Sequence, residues 1–381
     1  MMLVAAALSD ASAKMTETLW LAPLAIAFVA AVILTPLAIV AANRFGVIDK
    51  PVGMKLHKLP TPLLGGVAVY MAFLITSVIF LPIQGPVRGI LAGGAVAIVV
   101  GVLDDRFKLP PLVHLAGQIV AAIIAIVTGL GYVNNISDPF ATAHLQHLGR
   151  GSWTLVPILG VAFTLFWIVG MMNTVNFLDG LDGLSSGVGI IAALVLGIWA
   201  LNKNNDFHGG FLHQLNHAPA VLAFILAGAL LGFLLFNWNP ARIFIGDSGA
   251  MFVGFALGVL SVFGIAKIGT ALIIVSIPIL DVAWAIARRT LHGKSFLAGD
   301  KQHVYHRMIE LGMSPKSVVL SLYAICIALA AIDLNIAHGD KLIAFAVIAG
   351  VAGIGFVGLE IAGNRRKASA IRGEPRGAEA S

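Results

Sequence analysis

Long apolar runs follow one another along this chain, and they limit its fold more than any other feature. A helix needs about 20 such residues to cross the hydrocarbon core of a bilayer. Runs of that order lie at approximately 19–42, 65–83, 89–103, 111–132, 154–172, 184–201, 218–236, 250–267, 270–288, 317–335 and 342–362. None alternates every second residue over about ten positions, as a barrel strand would. The expected fold is therefore all-α, a polytopic transmembrane helical bundle of about eleven spans (10–11). Composition agrees, with 59% hydrophobic and 11% charged residues, where a soluble domain carries about 25% charged.

Loop charge sets the expected orientation, because Lys and Arg collect on the cytoplasmic side. If the loop after the first run is cytoplasmic, that side holds eighteen of the 24 Lys and Arg residues, among them Lys58, Arg106, Lys108, Arg242 and Arg307. The N-terminus is then outside and the C-terminus inside. Residues 1–18 have no basic stretch before their short apolar run, so a cleaved signal peptide is not expected and the first span is the first anchor. One membrane domain is expected over 19–362, followed by a basic cytoplasmic tail, 363–381, expected to be disordered. The net charge of +6 is mostly juxtamembrane and suits anionic headgroups, with no reason to invoke nucleic acid. A lone Cys326 excludes an intrachain disulfide and a cysteine metal cluster.

With that orientation, Asp104, Asp105, Asp179, Asp182, Asp247, Asp281 and Asp300 all fall at or near the inner face. In "NTVNFLDGLDGLSSG" (173–187), Asn173, Asn176, Asp179 and Asp182 recur at every third position. At a helical end the two asparagines can point the same way, and Gly180 and Gly183 let the backbone turn so that the aspartates follow. Oxygen donors in that pattern suit a hard cation, and magnesium takes one or two protein carboxylates plus substrate phosphate. Helix capping by Asp is the plainer alternative, but it needs one such residue rather than four.

Three further segments carry polar clusters. In "GVLDDRFKLPPLVHLAGQ" (101–118) two adjacent carboxylates repel unless a cation compensates, whether Lys108, Arg106 or a metal. In "FNWNPARIFIGDSGAMFVG" (236–254), Asp247 precedes an apolar run whose first amides can hold a phosphate. In "GDKQHVYHRM" (299–308), His303 and His306 could ligate zinc, but no third ligand has suggestive spacing and Arg307 favours an anion.

Taken in order, "HKLPTPLLGG" (57–66), "LDDRFKLPP", "NTVNFLDGLDGL", "FNWNPARIFIGDSG" and "IPILDVAWAIARRTLHGKSFLAGDKQHVYHRM" resemble the polyprenyl-phosphate N-acetylhexosamine-1-phosphate transferases, the MraY/WecA family. The resemblance spans about 250 residues. It implies transfer of a sugar 1-phosphate from a UDP-N-acetylhexosamine to a polyprenyl phosphate, with release of UMP, at the cytoplasmic face of a bacterial inner membrane. It also implies magnesium as cofactor, with manganese as a substitute, and leaves a homodimer open. Asp300, Lys301, His303, His306 and Arg307 are similar to the GlcNAc-1-phosphate branch rather than the UDP-MurNAc-pentapeptide branch, so UDP-GlcNAc and undecaprenyl phosphate are the expected substrates. Tyr305 stands where that branch usually has a histidine, and His114 where the family commonly has Lys or Arg.

Carried over residue by residue, the resemblance assigns magnesium to Asn176 and Asp247. Asp104 would hold or deprotonate the lipid phosphate with Asp105 beside it, and Asp179 and Asp182 would complete the catalytic carboxylates. Asn173 would order the site and Asn237 would meet the nucleoside. His303, His306 and Arg307 would hold the sugar-linked phosphates, Lys58 the lipid or nucleotide phosphate, and His114 the UDP diphosphate. Two other classes compete. CDP-alcohol phosphotransferases share the Asp-x-x-Asp-Gly run but need Ala-Arg soon after it, where Ser185 and Ser186 stand. A transporter or flippase would place ionisable groups nearer mid-membrane.

Overall fold

Every apolar run read from the sequence becomes helix in the structure, a computed structural model describing residues 20–51, 60–133, 135–137, 152–154, 156–202, 211–263, 267–291, 303–336 and 340–371. The helices are α1 (Leu21–Phe45), α2 (Gly65–Phe80), α3 (Gly85–Phe107), α4 (Pro111–Ala125), α5 (Pro157–Leu178), α6 (Leu184–Asn202) and α7 (Phe211–Asn237). They continue as α8 (Gly246–Phe263), α9 (Lys267–Ile274), α10 (Ser276–Leu291), α11 (Val304–Glu310), α12 (Pro315–Asn335) and α13 (Lys341–Ile371). Two small antiparallel ladders pair β1 (Ile48–Asp49) with β2 (Thr61–Pro62) and β3 (Asn135–Ser137) with β4 (Ser152–Thr154).

Among the described residues, nine helices are long and apolar enough to cross a membrane, α4 by continuing through a π-helical stretch to Leu130, and α2 is a shorter apolar helix of 16 residues. The run expected as one span at 270–288 is instead α9 and α10, bent by 77°. Pro278 explains the break: it has no N–H, so the Ile274 carbonyl loses its partner one turn on. Helix α13 continues to Ile371, so helix covers the start of the tail expected to be disordered from 363. Residues 1–19 and 372–381 lie outside the described residues.

Helix α8 is the innermost element, buried without interruption from Ser248 to Ser261. Its Phe252 packs edge-on against Tyr70 and Phe73 of α2, with centroids 5.1 and 5.3 Å away. Ser261 accepts the Trp167 indole N–H of α5 at 2.8 Å. The first turn of α8 meets α2 and α3 backbone to backbone, because glycine stands at each crossing. A Cβ on Gly66 would lie 2.1 Å from the Gly249 nitrogen, and one on Gly101 would lie 2.2 Å from the Ser248 Cα. No other residue allows that approach without pushing the helices apart. Large apolar side chains such as Ile33, Leu112, Phe166 and Ile354 stand exposed on the outside, as a lipid-facing surface requires.

A buried polar node ties four helices at the end of α12 remote from its start at Pro315. The Lys341 ammonium lies 2.7 Å from the Asp333 carboxylate, donates to Thr270 of α9 and sits 4.1 Å from the Trp199 ring centroid. Trp199 of α6 in turn donates to Asp333 at 2.7 Å. Burial of this charge pair is tolerable because each member is also hydrogen-bonded.

Candidate active site

The helices overrun their apolar runs at one end of the bundle, and that overrun assembles the site. Helix α3 carries on to Phe107, so Asp104 and Asp105 sit in its last turn; α5 carries Asn173 and Asn176 in its last two turns; α8 begins at Gly246, with Asp247 in its first turn. Polar residues can stay helical there because each finds a partner on a neighbouring element.

Asp105 is the partner of α8. Its Oδ1 accepts the Asp247 N–H at 2.8 Å and its Oδ2 the Ser248 N–H at 3.2 Å. A carboxylate at a helix N-terminus satisfies orphan amides and opposes the positive end of the helix dipole. The first amides of α8, expected from the sequence to hold a phosphate, are thus occupied at these two positions by the chain's own side chain. Gly246, at φ +71°, is required here twice over, since a Cβ would also lie 2.6 Å from Asp105 Oδ2.

Asp104 faces the other way and meets Asp247 in side-chain contact. The Leu109 N–H donates to Asp104 Oδ1 at 2.7 Å, and His114 Nδ1 lies 3.4 Å from its Oδ2. Asn176 Nδ2 donates to Asp247 Oδ1 at 2.7 Å, while the Lys108 ammonium stands 3.6 Å from Oδ2. Lys108 holds that place from a left-handed backbone, φ +53°, which ends α3. Two carboxylates in contact need a proton or a cation between them. The candidate donors are the oxygens of Asp104 and Asp247 and the amide of Asn176, whose Nδ2 faces Asp247; a small all-oxygen set of this kind fits magnesium rather than a softer metal. Among the described residues no group of three or more His, Cys, Asp and Glu is placed to hold a metal, so substrate or water oxygens must complete any shell.

Asn173 and Asn176, expected to point the same way, serve different neighbours. Asn173 exchanges amide hydrogen bonds with Gln118 of α4, donating at 2.9 Å, whereas Asn176 turns to α8. Three residues advance about 300° around a helix, and the remaining offset is enough for α5 to address both neighbours. Asp179 accepts from Ser185 Oγ at 2.9 Å. Burial first, and then the charges of Asp247, Asp105 and Asp182, hold its carboxyl well above the usual carboxylate range against the lowering effect of Ser185. Asp182 Oδ2 accepts from Asn239 Nδ2 at 2.8 Å and Ala241 N at 3.0 Å, tying the turn after α7 to the turn before α6. Asn237 is buried, and its amide accepts from Gly183 N and Ser186 Oγ and donates to the Ile243 carbonyl. Its side chain is a brace between loops; the nucleoside contact expected of it is not among these bonds.

Helix α11 closes the cluster. Tyr305 packs on Gly180, where a Cβ would lie 2.0 Å from its hydroxyl oxygen. Burial, followed by Asp281 and Asp179, pushes its phenol far up, so it stays a donor. His303 is paired with Asp281 of α10 at 2.8 Å. Burial and the proximity of His303 lower the His306 pKa. Arg307 pairs with Glu360 of α13 at 3.2 Å. Lys58, Asp300 and Lys301 lie outside the described residues. Asp281, Gln118, Lys108 and Ser185 join the cluster without a role assigned from the sequence, which places Asp281 only near the inner face and Lys108 only as a cation beside two adjacent aspartates.

A membrane bundle with carboxylates, amides and histidines gathered at one end is the architecture of a transferase that works at a lipid boundary. Residues 87–265 match the model of glycosyl transferase family 4. The chain is 35% identical over 312 residues to a decaprenyl-phosphate N-acetylglucosaminephosphotransferase of Mycolicibacterium smegmatis, covering 74% of each chain. It is 34% identical over 301 residues to a probable undecaprenyl-phosphate N-acetylglucosaminyl 1-phosphate transferase of Bacillus subtilis, covering 77% of this chain and 78% of that one. A phospho-N-acetylmuramoyl-pentapeptide-transferase of Listeria monocytogenes is 34% identical over 256 residues, 62% of this chain and 73% of its own. The protein belongs to glycosyl transferase family 4.

Proposed function

We propose that this protein transfers N-acetylglucosamine 1-phosphate from UDP-GlcNAc to a polyprenyl phosphate, releasing UMP, at the cytoplasmic face of a bacterial inner membrane. The observation that carries the reading is the Asp104–Asp247 contact at the mouth of the bundle, flanked by Asn176, Lys108 and His114. The excess of Lys and Arg on the same side supports the orientation. The N-acetylglucosamine relatives, which align over more of the chain than the muramoyl one, support the sugar.

In this reaction an oxygen of the lipid phosphate attacks the sugar-linked phosphorus of UDP-GlcNAc, and the bond to UMP breaks. Phosphoryl transfer asks the protein mainly for alignment and for neutralising charge. Magnesium held by Asp247 and Asn176 would supply charge stabilisation to the diphosphate and the departing UMP. Asp104, kept in place by the Leu109 amide and His114, orients the lipid phosphate. That phosphate has a second pKa of about 6, so it is mostly dianionic at neutral pH and needs alignment more than deprotonation. Lys108 offers positive charge beside the carboxylates, His114 a ring nitrogen 3.4 Å from Asp104, and Tyr305 a hydroxyl donor next to Asp179.

The test is direct. Purified protein with magnesium, undecaprenyl phosphate and radiolabelled UDP-GlcNAc is expected to yield an organic-soluble labelled lipid and stoichiometric UMP. Labelled lipid from UDP-MurNAc-pentapeptide or UDP-GalNAc, with none from UDP-GlcNAc, would replace the sugar. No labelled lipid from any of the three would return the flippase reading.

A further inference from the structure

Asp281 is buried just past the first turn of α10, beyond the break, and the chemistry above makes no use of it. Both of its oxygens are engaged on α11. Oδ2 lies 2.8 Å from His303 Nδ1, and Oδ1 accepts the Val304 N–H at 2.9 Å. The two side chains are almost fully buried, at 8% and 4% exposure. The partners are 22 residues apart in sequence, so this one carboxylate ties the first half of α10 to the start of α11.

A carboxylate can only accept, so the proton between the pair belongs to His303 Nδ1. Among the described residues His303 Nε2 has no protein hydrogen-bond partner. Two rings fix the imidazole plane: Phe177, from the last turn of α5, at 5.3 Å between centroids, and Tyr305, stacked at 5.8 Å. Both neighbours adjoin the Asp179 turn. His303 is therefore held by its back nitrogen, clamped on its faces and left with one nitrogen to offer.

We propose that Asp281 is a positioning residue for the transfer: it locks His303 in the Nδ1–H form, so that Nε2 alone meets the diphosphate of the sugar nucleotide. The inference rests on the reaction proposed above. A carboxylate behind a histidine selects the tautomer and also stabilises the ring when its far nitrogen takes a proton and donates to an anion. Among the described residues no carboxylate is hydrogen-bonded to His306, and burial with the proximity of His303 lowers its pKa. The two histidines of the motif are thereby made unequal, with His303 as the phosphate-binding one.

A helix cap and a tautomer lock make different demands on Asp281. In Asp281→Asn the amide oxygen still accepts the Val304 N–H, but an NH2 group now faces His303 Nδ1 and forces the proton to Nε2. With purified full-length protein and the UMP-release assay, kcat/KM for UDP-GlcNAc is expected to fall at least about tenfold in Asp281→Asn and in His303→Gln, with KM for the lipid unchanged. The double variant should fall no further than His303→Gln alone, because Asp281 acts through the ring. Losses that multiply in the double variant, or wild-type kinetics in Asp281→Asn, would overturn the proposal. A second measurement does not depend on any Asp281 variant folding. Nitrogen-15 NMR of histidine-labelled wild-type protein, with His303 assigned by its absence in His303→Gln, should show a proton on Nδ1; a bare Nδ1 overturns the lock. If the wild type makes no lipid from UDP-GlcNAc the reaction is wrong, and the NMR result still decides the Asp281–His303 pair.

Discussion

Replacing Asp105 by Asn removes one charge and one acceptor from the start of α8. In the wild type each carboxylate oxygen serves one backbone amide, Asp247 N at 2.8 Å and Ser248 N at 3.2 Å. The Asn oxygen can keep the shorter bond, but its NH2 then opposes the Ser248 N–H, donor against donor. A buried amide left without a partner costs about 1–3 kcal/mol, and the lost charge at the helix N-terminus adds about 0.3–1 kcal/mol. About 3 kcal/mol is therefore taken from the contact that sets where Asp247 stands, and if all of it were felt in the transition state turnover would fall about a hundredfold. The expected result for Asp105→Asn is a fall in kcat of about ten- to a hundredfold together with a lower unfolding temperature in detergent. Asp104→Asn provides the contrast. It keeps an oxygen for the Leu109 amide and relieves the contact with the Asp247 carboxylate, so turnover should fall while the unfolding temperature holds or rises. Asp105→Asn with wild-type melting and turnover would refute the argument, as would a metal-free Asp104→Asn protein that melts lower than Asp105→Asn.

Other outcomes follow from the same geometry. Asp247→Asn should lose most turnover without unfolding, because an amide oxygen binds a hard cation more weakly than a carboxylate; near-normal turnover would move the metal to Asp179 or Asp182. Asp179 holds its proton more tightly folded than unfolded, so metal-free protein should gain stability as pH falls from the raised folded-state value towards about 3.9. Asp179→Asn should then raise the melting temperature at pH 8 more than at pH 5, and equal gains at both would count against it. Lys341→Met alone strands a buried carboxylate and should cost about 3–5 kcal/mol, whereas adding Asp333→Leu should recover much of that in thermal unfolding. Gly180→Ala should cut turnover by pressing on Tyr305, with partial recovery in a chain that also carries Tyr305→Ala.

How much could be read in advance depended on the kind of signal. A run of twenty apolar residues has few alternatives in water or lipid, so all eleven runs reappear as helix, and Asp104, Asp179, Asp247 and His303 were gathered at one end from charge and motif order alone. The bend at Val275 was written in Pro278 but hidden by unbroken hydropathy. Adjacent carboxylates are harder: Asp104 and Asp105 point about 100° apart on a helix, and only the position of α8 decides that one faces Asp247 and the other its backbone. The role expected of Asn237 rests on the resemblance alone, and its bonds to Gly183, Ser186 and Ile243 have no signal in the spacing. The pairing of Asp281 has no signal in local spacing, since its histidine lies 22 residues further on.

Every described side chain that meets the Asp247 carboxylate comes from earlier in the chain: Asp104 and Lys108 at the end of α3, and Asn176 on α5. Its amide is bonded to Asp105, 142 residues upstream. Chains are made from the N-terminus at about 5–20 residues per second, so α3 waits several seconds or more in the membrane with a carboxylate pair turned towards an empty slot. When α8 emerges, its first turn finds acceptor, side-chain amide and ammonium already present, and insertion of the central helix and closure of the carboxylate cluster become a single event in biogenesis.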